Sequence, residues 1–370
     1  MNPIERATPV EICRHWPPDG HRKSREGPIV QDPSKLYRFE NDNPTNLADA
    51  DSTGAARSGD DVAALGAGVL VASLGGFVDA GHSQRLLTKH LLDNHKSTVV
   101  ASFDVDQVFD YRGRRPTMTF DKDRWTGYDD PSLLLHRVID RSGHPFLLLS
   151  GPEPDYQWER MIEAVTGLVK QLGVTLTVSV HGIPMAVPHT RPLGMTPHAT
   201  DSRLIGEVEP VFGAITVPGS FTGLLEYRLG EAGHDAMGFA IHVPHYLAQA
   251  EYHDAALVAL DAVVSATGLD LSRDELAAAA IATGAQVNAE LVDNEEVVTL
   301  VGALERQYDA FMQGRTRPSL LAPDASELPS ADEIGADVEA FLRHVADGID
   351  GSDGTNDKQD GTGSGPGQAF

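Results

Sequence analysis

Cysteine is almost absent: Cys13 is the single one in 370 residues. That excludes an intrachain disulfide and any cysteine zinc cluster, and it suits a reducing compartment. No run of about 18 apolar residues occurs, so no membrane-crossing helix is expected. Met1–Arg6 lack the basic start and apolar core of a secretory signal, so a cytoplasmic location is expected. Basic residues are scarce, 29 Lys and Arg against 54 Asp and Glu, for a formal charge of -25. Sequence-independent nucleic-acid binding neutralises phosphates with Lys and Arg, so that class of partner is excluded from the expectation. Neither Gly-x-Gly-x-x-Gly nor Gly-x-x-x-x-Gly-Lys-Ser/Thr is present, and no repeat of fixed period is found. No nucleotide or metal cofactor is expected.

What is there is enough apolar sequence, 41% of the chain, to build a sizeable core. The organising stretch is Val69 to His82, where an apolar run stops at Gly75 and Gly76 and a helical pattern follows. Val69 to Ala72 do not alternate, as suits a strand covered on both faces. The two glycines are read as permitting a tight turn. Asp79 is read as the cap of a helix carrying Leu86, Leu87, His90 and Leu91. Its carboxylate would occupy the N–H groups a phosphate needs.

Residues 1–60 are rich in Pro, Asp, Asn, Ser and Arg and read as a disordered arm able to lay one short segment on the body. An α/β core is expected over 64–250. Strands are expected at Thr98–Phe103, Met118–Trp125, Leu133–Ile139, Phe146–Leu149, Val174–Val180, Ile215–Val217 and Ala236–Val243, with helices from Trp158 and Phe221. Strand and helix alternate, which predicts a mainly parallel central sheet flanked by helices. Residues 251–313 read as a C-terminal helical layer of the same domain, whose Ala-rich face around Leu276–Ile281 could pack on a copy. A linker with one amphipathic helix follows over 314–346, and 347–370 is an acidic Gly-rich tail.

Several residues fall at the carboxyl ends of the expected strands, where open α/β sheets bind ligands. They are Gly75, Gly76, Asp79, His181, His189, Arg191, Ser220, His242 and His245. Pro244 keeps His242 and His245 off a common helix face, so they are expected to diverge rather than share a metal. Val217-Pro-Gly-Ser220-Phe-Thr-Gly223 lacks the Gly-x-Ser-x-Gly spacing of a nucleophile elbow, and Ser220 reads as a helix N-cap. Arg191 offers a fork to a carboxylate of the protein or of a ligand. No acid, base and nucleophile constellation assembles from sequence, so no catalytic residue is assigned.

Six ordered blocks nevertheless have a familiar wording. They are Gly76-Phe-Val-Asp-Ala-Gly81, Tyr111-Arg-Gly-Arg-Arg-Pro116, Phe146-Leu-Leu-Leu-Ser-Gly-Pro-Glu-Pro-Asp155, Pro184-Met-Ala-Val-Pro-His-Thr-Arg-Pro192, Leu225-Glu-Tyr-Arg228 and His242-Val-Pro-His-Tyr246. Together they resemble the PAC2 family, proteasome assembly chaperone 2-like proteins, in its actinobacterial branch, over about Val69 to Gln313. The resemblance implies a phosphorylase/hydrolase-like α/β core, self-association with a trimer as the first guess, and a binding role toward proteasome-type α-subunits rather than catalysis. An enzyme or small-ligand sensor using the strand-end pocket is the alternative. The tail Gly367-Gln-Ala-Phe370 is similar to the Gly-Gln-Tyr-Leu ending of actinobacterial proteasome activators. Gln368 matches, Ala369 stands in place of tyrosine, and Phe370 carries the aromatic, so Gln368 and Phe370 are the candidate partner-binding residues.

Overall fold

The computed structural model describes residues 31–40, 67–76, 78–207, 213–292 and 295–312. The chain divides into a unit ending at Tyr308 and a second from Asp309, of which only residues 309–312 are described. Cys13, the helix expected within 314–346 and the tail with Gln368 and Phe370 lie outside the described residues.

Among the described residues the strands are β1 Tyr37–Phe39, β2 Val69–Gly75, β3 Lys96–Phe103, β4 Met118–Asp121, β5 Arg124–Tyr128, β6 Leu134–Ile139, β7 Pro145–Pro152, β8 Leu176–Met185, β9 Met195–Ala199 and β10 Asp235–Pro244. The helices are α1 Ser83–Asn94, α2 Trp158–Gln171, α3 Phe221–Glu231, α4 His253–Thr267, α5 Asp274–Val292 and α6 Glu295–Met312. Eight strands form one sheet in the order β1-β3-β6-β7-β2-β8-β10-β9. Its centre, β7-β2-β8-β10, is parallel, as the strand and helix alternation requires. Antiparallel strands extend it on both sides, with β6, β3 and β1 beyond β7 and β9 beyond β10, so the sheet is mixed. The architecture is α/β, a large central sheet flanked by helices.

Side-chain alternation divides the core into two layers. Leu70 and Leu74 of β2 pack with Met161, Val165 and Val169 of α2 and with Phe221, Leu225 and Leu229 of α3. Val71, Val178, Val180, Phe239 and Ile241 face the other way, onto Leu87 and Leu91 of α1 and the Ala-rich α4. Alanine lets α4 approach the sheet closely: Ala255, Ala256 and Ala259 are wholly buried. Behind α4 lies α5, whose approach is pinned by α1. His90 Nε2 lies 2.6 Å from the Ser272 carbonyl, and the Ser272 N–H donates to His95 Nε2 at 3.2 Å.

Residues 31–40 are laid on the body: Leu36 is wholly buried and β1 pairs with the edge of β3, setting Tyr37 against Phe103 at 5.7 Å. Arg160 of α2, buried, donates to the Asp32 carbonyl from both Nε and Nη2 and ties the segment down. The single strand expected at Met118–Trp125 is a hairpin, β4–β5, turned at Lys122 with φ 56° and forming its own two-stranded sheet. Ile215–Val217 is not a strand despite its β-branched residues; it runs exposed into α3. The edge strand there is β9, Met-Thr-Pro-His-Ala, whose polar composition and proline hid it. Of the Ala-rich stretch on α5, Leu276 and Ala280 are buried inside the chain, while Ala278 and Ile281 are exposed.

Candidate functional site

The turn after β2 departs from its expected geometry. Gly75 and Gly76 do not take left-handed backbone; the left-handed residues are Gly81, φ 67°, and His82, φ 52°. Gly76 is required for space, since a Cβ there would lie 2.4 Å from Glu153 Oε2. Gly75 pairs with Pro152 of β7, and its carbonyl accepts from the Glu153 N–H at 2.9 Å. A short turn, Ala80–His82, intervenes before α1, and Asp79 caps the helix from across it. Its Oδ1 accepts from the Gln84 N–H and the Ser83 hydroxyl, both at 2.8 Å. The protein's own carboxylate therefore fills the α1 N-terminus.

Over the α2/α3 face of the sheet, toward the carboxyl ends of the strands, lies a cavity of about 540 Å³. Its floor is Leu74 of β2, His181 and Ile183 of β8, Ala240 of β10, and Thr196 and His198 of β9. The approach to α3 roofs it with Val217, Pro218, Ser220 and Thr222. Gly76, Val78, Gln84 and Glu153 close its back. Burial first, and His198 beside it second, push His181 down to about 4, so its imidazole is neutral at pH 7. The His181 and His198 rings stand 5.9 Å apart between centroids. Glu226 of α3 meets His198 Nδ1 at 2.9 and 3.0 Å, which places a proton on Nδ1. Glu153 Oε1 accepts from the Phe221 N–H at 2.5 Å, and Ser220 Oγ accepts from the Gly223 N–H at 3.1 Å, so both serve the α3 N-terminus.

Of the nine residues singled out from sequence, Gly76, His181 and Ser220 line this cavity, and the structure takes the others elsewhere. His242 is buried beneath Gly194, with its Nε2 2.8 Å from Thr196 Oγ1, and burial pushes it down to about 4. His245 is exposed beyond the strand end, so the two histidines diverge. The backbone N–H of His189 donates to Tyr246 Oη at 2.9 Å, and that hydroxyl lies 2.7 Å from its own Nδ1. The hydroxyl proton thus goes to Nδ1, and Nε2–H faces Asn288 Oδ1 at 3.1 Å. Arg191 pairs with Glu305 of α6 at 3.1 Å. The loop 188–192 is therefore a clamp between the sheet and the C-terminal helices. Sequence reasoning did not select Gln84, Glu153, Thr196 or His198 as site residues; no spacing rule joins them into one site, because they come from three separate segments, the start of α1, the turn after β7, and β9.

Fold and cavity together define an α/β protein with a ligand-sized chamber over a parallel sheet centre, in which no nucleophile, base and orienter are in line among the described residues. A model of the PAC2 family matches residues 73–291. The chain belongs to that family. Among solved structures, a Mycobacterium tuberculosis protein of unknown function is 43% identical, covering 79% of this chain and 94% of its own at a TM-score of 0.68. A Corynebacterium glutamicum protein of unknown function is 34% identical, covering 76% of this chain and 99% of its own at 0.66. A Mycobacterium tuberculosis proteasome-assembly chaperone homologue shares the fold at 22% identity, covering 63% of this chain and 99% of its own at 0.57. No curated protein matches. No helix among the described residues is long and apolar enough to cross a membrane.

Proposed function

We propose that this chain is a non-enzymatic protein-binding protein of the assembly type, acting in the cytoplasm as a homo-oligomer, with a trimer as the first expectation. The observation that carries the reading is the β4–β5 hairpin. Pairing sets Met118 opposite Tyr128 and Phe120 opposite Trp125, gathering four large side chains on one face. All four are about half exposed or more, Trp125 at 63%, and the Phe120 and Trp125 rings pack edge to face at 5.0 Å. A lone two-stranded hairpin is marginal in water, and a bare aromatic face on one is what an interface centre supplies. Asp121, Lys122, Asp123 and Arg124 at its tip provide a polar rim.

The non-catalytic part of the reading is supported by the duties the candidate side chains already perform: Ser220 caps, His189 and Arg191 clamp, and His242 packs. By the resemblance of its sequence blocks to the PAC2 family, the partner beyond a second copy is a proteasome-type α-subunit, with the tail residues Gln368 and Phe370 as a second contact. Light scattering on the full chain and on a Phe120→Ser, Trp125→Ser variant tests the interface. An oligomer that the variant reduces to a folded monomer is expected, and a wild-type monomer at micromolar concentration would overturn the proposal. Binding of a 20S core, with and without residues 366–370, tests the partner separately.

A further inference from the structure

We propose that the cavity beneath α3 is a binding site for a small, predominantly apolar molecule whose polar end is a hydrogen-bond donor, uncharged or cationic: an amine, a primary amide or an alcohol. This goes beyond the protein-binding role and stands independently of it. The volume, about 540 Å³, is that of a small-molecule site, and Leu74, Val78, Ile183, Val217 and Pro218 make the wall chiefly apolar.

Charge excludes anions. The described lining holds no Lys or Arg, and its one carboxylate is Glu153. A phosphate or carboxylate entering there would meet that charge, and the described lining supplies no Lys or Arg to receive it. The α3 N-terminus could otherwise attract an anion, but Glu153 and Ser220 already accept its first N–H groups.

The polar groups call for donors. Gln84 is buried, its Nε2 reaches the Val78 carbonyl at 3.4 Å, and its Oε1 has no hydrogen-bond partner among the described residues. A buried acceptor without a donor destabilises the chain, and a donor arriving with a ligand relieves that cost. The place, outside the carboxyl ends of β2, β8 and β10, is where α/β sheets accommodate ligands.

The test titrates the full chain with cyclohexylmethylamine, cyclohexanecarboxamide, cyclohexylmethanol and cyclohexanecarboxylate, reading the methyl resonances of Leu74, Ile183 and Val217. The three donors are expected to perturb those methyls and to bind at least about tenfold more tightly than the carboxylate. Gln84→Met is expected to weaken them about three- to tenfold, the worth of one hydrogen bond. Ala240→Leu, which fills the floor, is expected to abolish binding. Carboxylate binding as tight as amine binding, affinities unchanged in folded Gln84→Met, or no methyl perturbation at millimolar probe would each overturn the proposal. Should Gln84→Met fail to fold, donor binding that survives in Ala240→Leu overturns it equally.

Discussion

His198 on β9 lies directly across from Gly238 on β10, so close that a methyl group on Gly238 would stand 2.3 Å from His198 Cε1 and 2.5 Å from Ser179 Oγ. The glycine is there for the imidazole. Without a side chain beneath it, the ring settles on the sheet and reaches Glu226 of α3. Gly238→Ala is expected to destabilise the fold by about 1–3 kcal/mol through overpacking and to break the His198–Glu226 contact. Guanidinium unfolding and the His198 ring resonances check it; a change below about 0.5 kcal/mol would show that the ring moves aside freely.

Burial holds His181 and His242 at about 4 in the folded chain, while both return to about 6.5 on unfolding. The unfolded chain therefore binds protons that the folded one refuses. Stability is full above pH 6.5 and falls as pH drops toward 4, by ~1.4 kcal/mol per pH unit for each histidine once below the unfolded value. Urea unfolding between pH 7.5 and 5 measures the slope. His242→Gln is expected to remove the share of one proton, and an unaltered slope would count against a neutral His242.

Asp140, at the end of β6, accepts from the His144 N–H at 2.7 Å and the Asp270 N–H at 3.0 Å. Burial pushes its carboxyl upward, but those bonds prevail and hold it below the usual range. The stabilisation is present above the unfolded value near 3.9 and is lost as pH falls through the folded one. Asp140→Asn is expected to cost about 1–3 kcal/mol at pH 7, with the difference from wild type closing below about pH 4. A difference constant down to pH 3 would assign the cost to packing instead.

Arg160 donates to the Asp32 carbonyl and to Gln107 Oε1 and Gln157 Oε1 from inside the α2 face. A lysine cannot supply that fork. In both Arg160→Lys and Arg160→Met, hydrogen exchange in β1 is expected to accelerate at least about tenfold, with β2 and β8 still protected. Equal protection of β1 would place its anchorage in Leu36 and the aromatic contacts alone.

The linear sequence itself determined the sheet centre and its covering helices. Val69–Gly75, Phe146–Leu149, Val174–Val180 and Ala236–Val243 are apolar enough to be recognised wherever they pair, and the three- and four-residue spacing from Trp158 to Leu172 admits only a helix with one buried side. The PAC2 resemblance was legible for the same reason: its blocks are contiguous. Tertiary structure decided what depends on partners far along the chain. β9 is a strand because β10 offers it an edge, although Met195–Ala199 has little strand character of its own, while Ile215–Val217, with more, finds no edge. The cavity likewise belongs to no segment. Gln84, Glu153, His181 and His198 meet because the start of α1, the turn after β7, β8 and β9 converge on one cavity, and contacts between residues tens of positions apart leave no period in the sequence to read.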